Sequence, residues 1–142
     1  MISMSMDTRG INAKLDALAK AAKAAVRPAA QAGAQVLYEE VLRRVPVSDQ
    51  AHSTKGKKQT FQPGNLRAAI YQAFAQDESN DGKATYRISW NKRKAFYGRF
   101  VEHGTSSMAA QPFLRPSFDA MEQQARSAAQ HVLKAQIKGA AP

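Results

Sequence analysis

The chain has no cysteine among its 142 residues. That absence removes disulfides, thiolate zinc sites and a cysteine nucleophile, and it suits a reducing cytoplasm. Long apolar runs are missing as well. No stretch approaches the length of a membrane span. The opening "MISMSMDTRG" lacks a positive start followed by an apolar block, so a secretory signal is not expected. Aromatics are sparse, with six Phe, four Tyr and one Trp. The 44% hydrophobic content leans on alanine, so the core is small and burial is expected to be completed against partner chains. Acidic residues are scarce: 11 stand against 21 Lys and Arg, a formal charge of +10. Such an excess favours polyanions, either nucleic acid or an acidic partner surface.

What is present reads as one domain, residues 1–142, of α+β class. Residues 9–45 carry apolar side chains at three- and four-residue steps, among them Ile11, Leu15, Leu18, Ala22, Val26, Val41 and Val45. This spacing predicts a long N-terminal helix, kinked or split near Arg27-Pro28, where proline removes a backbone donor. Residues 47–63 are polar and basic and read as a flexible loop, longer than the roughly 12–15 residues usual for a structureless connection. Pro63-Gly64 signals a turn and Asn65 an N-cap. Leu66, Ile70 and Phe74 then suggest a short helix or a helix-to-strand segment. In "ATYRISWN", Tyr86, Ile88 and Trp90 alternate with Thr85, Arg87 and Ser89, the clearest strand. Asp81-Gly82 is the turn before it, and Ile70 to Phe74 is the candidate partner, giving a small antiparallel sheet. A short helix ending at Gly104 is expected after it. A C-terminal helix is expected from Pro116 or Ser117 to Gly139, with Phe118, Met121, Ala125, Ala128, Val132 and Ile137 on one face.

The candidate chemistry is thin. His52, His103 and His131 lie far apart, without the spacing of metal ligands, so neither metal nor cofactor is expected. Glu102-His103 is the one acid–base candidate of a small nuclease. Neighbouring residues on a helix point about 100° apart, however, and do not converge on one reacting atom. Trp90 with Tyr86 is a candidate stacking platform, but alternation with Ile88 favours a core face. Lys55, Lys57 and Lys58, with the step Lys92, Arg93 and Lys94, are candidate phosphate contacts. Glu102 is a candidate loop clamp, accepting amides of the "GTSS" turn or pairing with Arg67 or Arg115.

Three stretches, taken in order, carry a resemblance. They are Gly64, Asn65, Leu66 and Arg67; then Tyr97, Glu102, Gly104 and Thr105; then Pro112, Phe113, Leu114, Arg115 and Pro116. Together they resemble the signature of the gene-product-ten-like family of tailed double-stranded-DNA phages. The chain departs from the family pattern at Pro63 and His103. The resemblance implies a non-enzymatic structural virion protein, without cofactor, acting in head–tail joining or tail completion at the neck or head-proximal tail end. It implies a homo-oligomeric ring in the particle, with a connector or stopper, a tail terminator or a tail tube as neighbours, genomic DNA nearby and no membrane. The second reading is a basic nucleic-acid-binding module or small nuclease.

Overall fold

The computed structural model describes residues 3–53 and 59–140. Helix α1 spans Arg9–Arg44. Of the two expected forms, a single unbroken helix is found, with Pro28 inside it. A proline here deletes one intrahelical donor. The flanking Ala25 and Ala29 are buried, so packing on both sides of Pro28 carries the helix through.

Two two-stranded antiparallel sheets follow. β1 (His52–Ser53) pairs with β2 (Thr60–Phe61). The segment expected to be loop throughout therefore contains a short hairpin, stapled by Phe61, which is buried. α2 (Asn65–Ala69) passes directly into β3 (Ile70–Phe74), which pairs with β4 (Tyr86–Trp90) in the register Ile70↔Trp90 to Phe74↔Tyr86. The intervening turn closes at Asn80 and Lys83 around Gly82, whose φ is +103°.

α3 (Gly98–His103) and α4 (Leu114–Ala140) complete the chain. α4 begins at Leu114, ahead of the expected Pro116 or Ser117, and includes Gly139 instead of stopping there. Phe113, just before α4, shares the core with Val41, Val45, Leu66, Ala69, Ile70 and Ala95. Further along α4, the Ala125 carbonyl lies 2.9 Å from where a Cβ on Gly33 would stand. α4 therefore runs antiparallel to α1, with Gly33 packed against Ala125 and Ala129. Phe118 was expected on the buried face but is 49% exposed. Ser117 occupies that face, and the next residue points about 100° away. At 1.5 Å per residue α4 is about 14 Å shorter than α1, and the first three turns of α1 project past its end. Ile11 and Leu15 lie on that projection and are 55% and 57% exposed. Among the described residues no helix is long and apolar enough to cross a membrane.

Candidate functional site

The three sequence motifs converge on one end of the molecule. The first is a turn and short helix. Gly64 has φ +80°, a left-handed conformation that glycine adopts without strain, and it takes the N-cap position expected of Asn65. Asn65 is freed for a different task. Its Nδ2 donates to the Lys94 carbonyl at 2.9 Å and to the Tyr97 hydroxyl at 3.1 Å. Leu66 enters the core, and Arg67 stays exposed.

The second motif is α3 with its flanks. Tyr97 caps the helix start, and its ring meets His52 and Phe61 edge-on, each at 5.0 Å between centroids. Gly98 is packed under the Trp90 indole, where an added Cβ would stand 2.6 Å from Nε1. Trp90 also meets Phe113 edge-on at 6.0 Å. It belongs to the core packing and is no free stacking platform. Its Nε1 is the one buried side-chain polar atom among the described residues without a hydrogen-bond partner. Gly104 closes α3 at φ +74° and ψ 177°, a region essentially restricted to glycine. A Cβ there would meet the Ala110 amide at 2.8 Å. Thr105 forms a bridge to Met108, its amide donating to the Met108 carbonyl at 2.8 Å.

Glu102 ties the second motif to the third. Its carboxylate is buried and accepts three backbone amides: Phe113 at 2.7 Å and Leu114 at 3.1 Å on Oε2, and Arg115 at 3.2 Å on Oε1. Neither the "GTSS" turn nor the side chain of Arg67 or Arg115 is its partner. The first amides of a helix have no intrahelical acceptor, and a carboxylate at that end also meets the positive end of the helix dipole. Glu102 satisfies those at the start of α4. Pro116, next in line, has no N–H to satisfy. That is why α4 starts at Leu114. Pro112 biases Gln111 towards extended backbone, and the Gln111 amide donates to Val101 at 2.8 Å. His103 is exposed, so it does not form a site with Glu102.

Beside this clamp lies an open groove of about 620 Å³, walled by Val47, Leu66, Tyr97, Phe100, Val101 and Met108. Phe100 and Met108 are 45% and 40% exposed. Lys92, Arg93 and Lys94 are exposed on the turn after β4, in no ion pair among the described residues. Lys55, Lys57 and Lys58 lie outside the described residues. Among the described residues no group of three or more potential metal ligands is gathered.

A buried carboxylate that sequence reading passed over is Glu40, which pairs with Arg43 and Arg44 on its own helix. The three- and four-residue spacing was the available signal. The Arg44 side-chain hydrogen bond, with Arg43 beside it, holds the Glu40 carboxyl below the usual glutamate range against the opposing effect of burial.

A family model described as "Bacteriophage HK97-gp10, putative tail-component" matches residues 9–104. The match runs from the start of α1 through Glu102 to the glycine that ends α3, and leaves the Pro112–Pro116 stretch outside it. No curated protein and no solved structure matches the chain.

Proposed function

The chain belongs to the HK97-gp10-like family of phage tail components, and we propose that it acts in head–tail joining or tail completion, as a homo-oligomeric ring at the head-proximal end of the tail. Its neighbours in this reading are a connector or stopper on one side and a tail terminator or tail tube on the other. The observation that carries a scaffold role is the Glu102 clamp. Both oxygens of this buried carboxylate already accept backbone amides, three in all, so the group is committed to holding the chain, while His103 is exposed. The most chemistry-like stretch of the sequence is thus engaged in shaping a helix start and its approach.

The excess of positive charge supports a place near the DNA path, with Lys92, Arg93 and Lys94 as the described candidates for phosphate contact. Deleting the gene from the phage or prophage that carries it, and imaging the induced lysate by negative-stain electron microscopy, tests the role. DNA-filled heads separate from tails, or tails with a faulty end, are the expected phenotype. Intact infectious particles would reject it and bring forward the reading as a free basic nucleic-acid-binding module.

A further inference from the structure

Two apolar surfaces are left without a partner, and they lie at opposite ends of α1. At one end, the three turns from Arg9 project past α4 and carry the exposed Ile11 and Leu15, with the half-buried Leu18 next in line, at four- and three-residue spacing, a single helical stripe. This stripe continues the face on which Ala25 and Ala29 are buried. An isolated helical end is marginal in water and normally gains its stability from packing. At the other end, about 50 Å away along the helix, lies the groove of Val47, Leu66, Tyr97, Phe100, Val101 and Met108. A ridge at one end and a hollow at the other cannot meet within one molecule.

We propose that the groove receives the N-terminal turns of α1 from a second copy of this chain. Ile11, Leu15 and Leu18 are the anchors, in the manner of an amphipathic helix laid in an apolar groove. Charge agrees with this occupant. The carboxylate lining the groove is Asp49, and the cation bordering the stripe is Lys14. Pairing two α1 ends with each other would instead bring Lys14 of each copy to the same flank. The contact is head-to-tail, between different surfaces of the two copies, and such a contact generates a ring when its rotation closes. The inference thus deepens the ring in the proposed function, but it stands or falls on self-association and leaves the virion role to the deletion experiment.

Because the chain has no cysteine, introduced thiols are unique reporters. Full-length Leu15→Cys and Met108→Cys proteins are mixed over a concentration series and oxidised, with Val47→Cys as a second groove probe should Met108→Cys fold poorly. Ala120→Cys, exposed on α4 away from the groove, measures random collision. The expected result is a Leu15→Cys to Met108→Cys heterodimer in several-fold excess over that with Ala120→Cys. It should be lost when Phe100→Asp is added to the groove partner. A homodimer of Leu15→Cys alone, a heterodimer no more abundant than the collision control, or no cross-linked product up to the solubility limit each overturns the proposal.

Discussion

The carboxylate of Glu102 accepts the amide of Phe113 at 2.7 Å and thereby fixes where the last helix begins. One side chain eleven residues upstream caps α4, while Phe113 itself is fully buried among Val41, Leu66 and Ile70. The capping bond and the core anchor are therefore one unit. Glu102→Ala leaves three amides without an acceptor and is expected to cost about 3 kcal/mol or more. Glu102→Gln keeps one acceptor oxygen but turns an NH2 towards an amide, so about 2 kcal/mol is expected. Urea unfolding of both variants checks the order. Equal stability of Glu102→Ala and wild type would remove the clamp.

Gly98 and Trp90 make the tightest packing contact of the site. Gly98→Ala places a methyl 2.6 Å from the indole Nε1, and the ring has Phe113 near it and cannot simply swing aside. A loss of about 1–3 kcal/mol is expected, as for other overpacked cores, together with a shift in the fluorescence of the single tryptophan. Gly139→Ala, with nothing within 4 Å, is the control and should be neutral or slightly stabilising.

Asn65 joins the first motif to the second, and its two acceptors are unequal in what they test. Tyr97→Phe removes only the hydroxyl and is expected to cost about 1 kcal/mol. Asn65→Ala loses the Lys94 carbonyl as well and should cost more. The double variant should fall short of the sum, because the Asn65–Tyr97 bond can be lost only once. Strict additivity in thermal unfolding would show that the two side chains act independently.

These relationships mark where the sequence was readable and where it was not. Local periodicity placed α1 over nearly its whole length, and period-two alternation placed β4, because each is written in neighbouring residues. Pro28 left two forms open, and the single helix is the one found because one lost donor is outweighed by burial on either side of it. Asn65 has the chemistry of a cap, but Gly64 can adopt the left-handed turn and so left that side chain free to reach Tyr97, a pairing no local rule predicts. Glu102 was legible as a clamp. Its partners were not, since they depend on α4 packing antiparallel to α1 and bringing Phe113 back to α3. Phe118 was placed on the buried face by its spacing with Met121 and Ala125. Ser117, one residue earlier, takes that face, and Phe118 lies about 100° round from it.

Glu40 supplies a pH dependence whose sign is fixed by its partners. Its folded-state carboxyl lies below the ordinary glutamate value because Arg44, and then Arg43, favour the charged form. Its contribution is therefore complete above the unfolded-state value of about 4.3 and is lost as pH falls from there through the lower folded-state value. Glu40→Gln should be less stable than wild type at pH 7, and the gap should close under more acidic conditions. Urea midpoints of both proteins between neutral pH and about pH 3 check this. A gap that stays constant with pH would show that the carboxylate charge contributes nothing.

Charge reversal at Lys92, Arg93 and Lys94 separates the reading near DNA from a plain solvated turn. The backbone of this turn is held independently of the three side chains. The Arg93 and Lys94 amides donate to the Asn91 Oδ1, and the Lys94 carbonyl accepts from Asn65. Replacing all three residues by Glu should therefore leave the unfolding midpoint within about 0.5 kcal/mol of wild type, as for other surface changes. If the turn meets phosphates, the purified protein should bind DNA more weakly, with a slope against log salt reduced by up to about three contacts. Particles carrying the variant should then retain DNA poorly. If titre, DNA retention and salt slope all stay as in wild type, the positive charge of this turn serves solubility, and the ring reading must stand on protein contacts alone.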